Sequence, residues 1–110
     1  MEIHQGDVYW IALDVSEHPH PYVVIQEDVI NNSRVNTVVV CALTSNMKRA
    51  KSPGNVLLEA GEANLPKQSI VEVSKVSTVE KNQLGEYIGS LSRERVQQVL
   101  AGMQFLQSMM

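Results

Sequence analysis

The stretch TVVVCALTS, residues 37–45, decides how the rest of the chain is interpreted. Its near-continuous apolar run is rich in β-branched residues, which predicts a strand that is buried on both faces and lies in the centre of a sheet. Cys41 lies inside this run, so we expect a small buried side chain rather than a reactive thiol. Thr44 and Ser45 place two hydroxyl groups at the end of the predicted strand.

Apolar segments on both sides of this stretch predict five more strands. They are rich in β-branched and aromatic residues and are bounded by turn-forming residues. The predicted strands span residues 6–14, 21–28, 56–60, 68–73 and 87–91. Pro21 is compatible with the second strand because it stands at the entrance, where no backbone donor is needed. Residues 77–86 predict a single helical turn that ends at Gly85.

The C-terminal segment predicts one amphipathic helix. Ser92 is a suitable N-cap, and apolar side chains then recur at helical spacing, at Val96, Val99, Leu100, Met103 and Leu106. Because the crossover helices of a parallel sheet are missing, we expect the strands to pair in an antiparallel sheet. The chain is therefore predicted to be mainly β, a single domain over residues 1–110 that forms a curved antiparallel β-barrel with a C-terminal α-helix.

Charge is distributed unevenly along the chain. The formal net charge is −3, which argues against nonspecific binding to polyanions. Residues 1–33 contain six acids and no Lys or Arg, whereas Arg34, Lys48, Arg49 and Lys51 follow with no acid between them. An anion can therefore find a local positive patch on an acidic protein, although a solvated loop explains the same pattern.

The sequence shows no membrane or export signal. No apolar run reaches the roughly 18–20 residues that a membrane-spanning helix needs. The N-terminus lacks the basic region and apolar core of a signal peptide. We therefore expect a cytoplasmic protein without membrane contacts.

His18 and His20 are the residues that first suggest a chemical site. In an extended segment their imidazoles point the same way, but the single cysteine and the lack of H-x₃₋₅-H spacing argue against a metal site. The sequence has neither a Gly-rich phosphate loop nor a G-x-S-x-G nucleophile motif. We therefore expect no metal and no other cofactor. If the first three strands form a meander, His20, Thr44 and Ser45 meet at one rim of the barrel.

In order along the chain, these segments resemble the MazF/PemK-type toxins, which are small ribosome-independent endoribonucleases. The most specific pieces are GDVYW, PYVVIQ, LTS and LPKQSIVEVSKVSTVEKNQLG, and the similarity covers nearly the whole chain. The resemblance implies an SH3-like barrel, a homodimer, single-stranded RNA as substrate and a cognate antitoxin that blocks the RNA groove. It also implies sequence-specific, metal-independent cleavage, in which a ribose 2′-hydroxyl attacks the adjacent phosphorus and leaves a 2′,3′-cyclic phosphate and a 5′-hydroxyl.

The resemblance further implies a catalytic pair. The usual residues are an Arg before the Pro of the second strand and the Thr of LTS, and here these positions hold His20 and Thr44. Another Arg that the family often carries is replaced by Ser77. Imidazole exchanges protons near neutral pH but lacks the permanent, bidentate charge of guanidinium. His20 is therefore interpreted either as a catalytic group or as an exposed loop residue without a chemical role.

Polar and basic residues near the predicted rim are candidates for RNA binding, because phosphate contacts need mobile cations beside a groove. They are Ser45, Lys48, Arg49, Lys51, His18 and Lys75. We expect Tyr9 and Trp10 to pack in the core or at a dimer interface rather than to stack on bases. Two hypotheses remain: an active toxin-type endoribonuclease, and a catalytically silent barrel that binds RNA or a partner protein.

Overall fold

One antiparallel sheet organises the chain in the computed structural model, which describes residues 2–110. Within these residues six strands lie in the order β4-β5-β3-β2-β1-β6. The strands are β1 (Asp7–Ile11), β2 (His20–Val24), β3 (Thr37–Thr44), β4 (Val56–Leu58), β5 (Ser69–Glu80) and β6 (Tyr87–Ser90). The α-helices are α1 (Asp28–Asn31) and α2 (Arg93–Ser108), and short 3₁₀ helices span Met47–Lys51, Glu62–Asn64 and Lys81–Gln83.

The strand β3 lies in the interior of the sheet, as its apolar run predicted. It pairs with β2 on one side and with β5 on the other. Val38 and Val40 belong to one buried cluster, whereas Cys41 and Leu43 belong to a second cluster. Both faces of β3 are therefore covered, which explains why its sequence does not alternate between apolar and polar residues.

The strand β5 is longer than predicted and is bent in the middle. It runs from Ser69 to Glu80, so the helical turn expected within residues 77–86 is confined to Lys81–Gln83. The register against β3 shifts between the pairs Cys41↔Val76 and Leu43↔Val71. The extra residues of β5 at this shift form a bulge, which increases twist and bends a strand. One strand can therefore pair with β4 at its start and with the whole of β3.

The strand β2 is shorter than predicted, because it ends at Val24 rather than at residue 28. Asp28 instead begins the short helix α1, and its carboxylate accepts a hydrogen bond from the backbone N–H of Gln5 at 2.7 Å. The side-chain amide of the buried Asn31 donates to the carbonyl of Gln26 at 2.8 Å. The bond from Asn31 satisfies the Gln26 carbonyl locally and favours the end of the strand, whereas Asp28 ties α1 to the segment before β1.

The two edges of the sheet are joined by a 3₁₀ helix rather than by pairing of two strands in the described part of the chain. The helix Glu62–Asn64 follows β4 and lies against β6, where the side-chain amide of Asn64 donates to the Ile88 carbonyl at 3.0 Å. Gly89 permits this approach, since a Cβ atom there would clash with the Ala63 carbonyl. The sheet is thus a curled half-barrel, and the predicted mainly β fold with a C-terminal helix is confirmed.

The C-terminal helix α2 packs on one face of the curled sheet. Ser92 caps it as predicted, with its hydroxyl oxygen accepting from the Arg95 N–H at 3.2 Å. Val99 is buried in the cluster that contains Leu43, and Val96, Met103 and Leu106 pack against that cluster. Among residues 2–110, no helix is both long and apolar enough to pass through a bilayer.

Candidate active site

The end of β3 opens into a surface groove, which we call the Thr44 groove. It encloses about 240 Å³. Its lining residues are Trp10, Pro21, Leu43, Thr44, Ser45, Leu65, Pro66, Lys67, Ser69 and Ile88. Most of this surface is apolar, and the polar residues of the lining are Thr44, Ser45, Lys67 and Ser69. Such a surface suits a ligand with a flat apolar part and an anionic part.

Thr44 is held at this groove by the register of the sheet. It is the last residue of β3, and it pairs with Ile70 of β5. Its hydroxyl oxygen accepts a hydrogen bond from the backbone N–H of Asn46 at 3.1 Å. A hydroxyl that accepts through oxygen still has its proton to donate. Thr44 can therefore donate a hydrogen bond to an anion in the groove, and the exposed Ser45 lies beside it.

His20 lies at the same rim but does not line the groove. It is the exposed first residue of β2 and pairs with Ile11 of β1. The observed pairs between β2 and β3 begin at Tyr22↔Ala42, and the same register continued by two residues sets His20 opposite Thr44. No hydrogen bond joins these two side chains among residues 2–110. His18 is exposed before β2 and is absent from the groove lining.

Two of the predicted basic residues, Arg49 and Lys75, face one buried carboxylate. Glu72 is only 6% exposed and lies in the bulge of β5. Its Oε2 atom is 3.5 Å from Lys75 Nζ and 3.9 Å from Arg49 Nε. Because both cations face the same carboxylate, part of their charge is already neutralised within the protein.

The segment that carries Arg49 is folded against the bulge. Asn46 caps the 3₁₀ helix Met47–Lys51 by accepting from the Lys48 N–H at 3.1 Å. Asn55 donates to the Arg49 carbonyl at 2.9 Å and accepts from the Val73 N–H at 3.0 Å. We call residues 46–55 the basic segment. Its exposed lysines, Lys48 and Lys51, lie outside the groove lining.

The two positions that the sequence resemblance assigns to arginine hold no permanent cation in this chain. His20 occupies the first. Ser77 occupies the second, on β5 opposite Val40. Val40 precedes Thr44 by four residues, which is about 13 Å along an extended strand. Ser77 is therefore remote from the hydroxyl of Thr44.

Trp10 and Lys67 belong to the groove, although the sequence interpretation did not assign them to it. Trp10 is 40% exposed and so does not pack in the core of the single chain, and its packing at a dimer interface stays a prediction, whereas Tyr9 is buried as expected. Trp10 also forms a wall of an adjacent apolar cavity of about 650 Å³ beside Leu13 and Pro19. Val8, Tyr9 and Ile11 of the same strand are all buried, so β1 shows no alternation from which the exposure of Trp10 could have been predicted.

Burial removes two other side chains from consideration as reactive groups. The pKa of the Cys41 thiol is raised to about 12, first by burial and then by the charge of Glu72. The pKa of the Tyr9 hydroxyl is raised to about 12, first by burial and then by Asp7. Neither group ionises near neutral pH. Within residues 2–110 no group of three or more His, Cys, Asp or Glu side chains is arranged to hold a metal ion.

Similarity to known proteins agrees with this arrangement. A family model described as "PemK-like, MazF-like toxin of type II toxin-antitoxin system" matches residues 4–106. Endoribonuclease MazF2 of Mycobacterium bovis is 33% identical over 108 residues, covering 94% of this chain and 95% of the relative. Endoribonuclease MazF of Staphylococcus saprophyticus is 32% identical over 100 residues, covering 86% of this chain and 82% of the relative.

Solved structures show the same fold. An endoribonuclease in complex with its cognate antitoxin from a mycobacterial species superposes with a TM-score of 0.81 at 18% identity, covering 98% of this chain and 97% of that one. A MazE-MazF structure from Deinococcus radiodurans gives a TM-score of 0.75 at 17% identity, covering 97% and 96% of the two chains. The resemblance inferred from the sequence is confirmed: the chain belongs to the PemK-like, MazF-like toxin family of type II toxin–antitoxin systems.

Proposed function

We propose that this chain is a toxin endoribonuclease that cuts single-stranded RNA at the Thr44 groove. The observation that carries the proposal is the hydroxyl of Thr44, fixed by the sheet register at the mouth of an open groove, in a chain of this family. The ribose 2′-oxygen forms a bond to phosphorus as the bond from phosphorus to the 5′-oxygen breaks. A base takes the 2′-hydroxyl proton, and a proton reaches the leaving 5′-oxygen.

Thr44 and His20 supply two of the functions that this displacement needs. The Thr44 hydroxyl, which accepts from the Asn46 N–H, directs its own proton toward a non-bridging phosphoryl oxygen and stabilises the charge that develops there. His20, at the same rim, exchanges protons with the 2′-oxygen or the 5′-oxygen. Because the nucleophile belongs to the substrate, no protein nucleophile is required.

The binding of RNA and of a partner protein is proposed for the same surface. Ser45 and the basic segment contact phosphates, with Lys75 and His18 at the periphery. Exposed Trp10, with apolar surface on both sides, is suited to stack on a splayed base. One structural relative is described as a complex with its cognate antitoxin, and a partner of this kind fits the apolar cavity beside Trp10. We also propose a homodimer and a cytoplasmic location.

A second candidate function is that of a catalytically silent binding module. It is favoured by one observation: neither position of the family's arginines carries a permanent cation, and His20 is absent from the lining of the Thr44 groove. Such a protein would keep the groove and its partner but would leave RNA intact.

Incubation of the purified protein with single-stranded RNA in EDTA separates the two candidates. Cleavage that leaves 2′,3′-cyclic phosphate and 5′-hydroxyl ends is expected. Thr44→Val, which keeps the shape but removes the hydroxyl, should lower the rate by about 10²-fold, and Thr44→Ser should restore most of it. His20→Ala should also lower the rate. Intact RNA at a large excess of folded protein would refute the nuclease and favour the silent module.

A further inference from the structure

The displacement at phosphorus is helped by a permanent cation, and neither His20 nor Ser77, which occupy the positions that the resemblance assigns to arginine, provides one. Charge develops on the non-bridging oxygens in the transition state, and a hydroxyl alone stabilises it less than a charged donor does. The site needs a positive group within reach of the phosphate that Thr44 contacts. The described residues offer several cations around the rim, and their environments differ.

Most of these cations are engaged elsewhere or lie outside the groove. Arg49 and Lys75 face the buried carboxylate of Glu72. Lys48 and Lys51 are exposed on the 3₁₀ helix and do not line the Thr44 groove. They suit contacts with neighbouring phosphates, which give affinity rather than rate.

Lys67 is the one cationic side chain in the lining of the Thr44 groove, among the residues that the structure describes. Its ammonium group makes no hydrogen bond and no ion pair with any side chain or backbone group of residues 2–110. The nearby carboxylate of Glu59 accepts from Gln68 at 3.1 Å instead. The charge of Lys67 is therefore available to a ligand.

The backbone of Lys67 is held in place on both sides. Pro66, which also lines the groove, restricts the chain before it. The Lys67 carbonyl accepts from the hydroxyl of Ser69 at 3.1 Å. Ser69 begins β5, and its neighbour Ile70 pairs with Thr44. The sheet register thus fixes where the base of the Lys67 side chain lies relative to Thr44.

We propose that Lys67 is a catalytic residue whose ammonium contacts the non-bridging oxygens of the scissile phosphate and supplies the charge that the family's arginines supply elsewhere. This inference rests on the proposed function. It assigns proton exchange to His20, hydrogen bonding to Thr44 and charge to Lys67. No bond to Lys67 forms or breaks.

The test compares Lys67→Gln and Lys67→Arg with the wild type. The substrate is first found with an unstructured transcript that contains every pentanucleotide, and kinetics are then measured in EDTA on a short RNA that carries the cleaved site. Lys67→Gln should lower kcat by about 10²-fold, whereas Lys67→Arg should stay within about tenfold of the wild type. Arg34→Gln is the matched control, because Arg34 precedes the opposite end of β3 from Thr44.

A second measurement distinguishes failure of this inference from failure of the nuclease proposal. Binding of a fluorescent 2′-deoxy version of the substrate, or of a mixed-sequence RNA if the wild type cuts nothing, is followed by anisotropy across salt concentrations. Loss of the Lys67 contact should reduce the magnitude of the salt slope by about 0.7. Unchanged kcat in Lys67→Gln overturns the inference when the wild type is active, and an unchanged slope overturns it when the wild type is inactive.

Discussion

Replacement of Gly102 by alanine should destabilise this protein, although alanine favours helices. In an open helix interior the change stabilises by about 1 kcal/mol. Here the added Cβ atom of residue 102 would clash with the Gly54 carbonyl oxygen and lie 3.0 Å from its carbonyl carbon. Both atoms belong to the backbone, so no side-chain rotation relieves the contact. Gly54 itself has φ +83° and cannot be replaced to compensate.

The steric cost outweighs the gain in helix propensity. Overpacking of a close contact costs about 1–3 kcal/mol, and a contact between two backbone segments belongs at the upper end of that range. We therefore expect Gly102→Ala to lose about 2 kcal/mol of the free energy of unfolding, which corresponds to a fall in Tm of about 8 °C for a domain of this size. The turn at Gly54 closes the basic segment, so that segment should also become more sensitive to proteolysis.

Urea denaturation and thermal unfolding at one fixed protein concentration measure this effect, because a dimer would make both depend on concentration. Gln104→Ala, at an exposed position of α2, is the matched control and should change stability by less than about 0.5 kcal/mol. A Gly102→Ala variant that is more stable than the wild type would refute the close approach of α2 to the turn at Gly54.

Three further predictions follow from the packing of the sheet. Cys41, whose pKa burial raises to about 12, should not react with iodoacetamide at pH 8 in the folded protein but should react in urea, and rapid labelling of the folded protein would contradict its burial. The hydrogen bond from Arg95 lowers the pKa of Glu62 below its ordinary value, so Arg95→Met should lower the free energy of unfolding by about 1 kcal/mol near neutral pH. Because Glu62 contributes only while ionised, the difference in urea midpoint between this variant and the wild type should shrink as the pH falls through the lowered pKa. Asn64→Ala should lower the free energy of unfolding, measured by urea denaturation, by about 1–2 kcal/mol. The change removes the hydrogen bond to β6 and places alanine at φ 58°, a backbone conformation that asparagine tolerates better. Asn64→Gly, which relieves the φ, should cost less.

The sequence was sufficient to predict the six strands and the C-terminal helix, but not α1, the 3₁₀ helices Met47–Lys51 and Glu62–Asn64, or how far each strand extends. A near-continuous apolar run indicated that β3 is buried on both faces, and the helical spacing after Ser92 indicated that Ser92 is the N-cap of α2. Both signals are local in the sequence. The apolar pattern predicted that the fifth strand ends at residue 73, whereas β5 continues to Glu80. The polar residues of the bulge interrupt the alternation there, and a register shift depends on the partner strand, which the local pattern does not contain.

Only the part of the Thr44 groove that depends on local sequence signals could be predicted. Thr44 ends a strand that could be recognised, so its position at a rim followed from the sequence. Lys67 and Trp10 reach the same groove because β5 and β1 bring them there, and only the pairing partners of those strands reveal it. Arg49 and Lys75 were predicted as RNA-binding residues, and their shared carboxylate was not foreseen because it comes from the bulge.

The positions of the lysines around the Thr44 groove determine which substitutions the fold tolerates. A cation carried on a strand, at position 20 of β2 or position 77 of β5, must fit the pairing and burial of its neighbours. Lys67 and the two exposed lysines of the basic segment, Lys48 and Lys51, lie on connections between strands, where a substitution leaves both buried clusters intact. Glu72 differs from these lysines, because it is buried and faces both Arg49 and Lys75. Changes at the exposed lysines should therefore alter RNA binding and cleavage without altering stability, whereas a change at Glu72 should alter both.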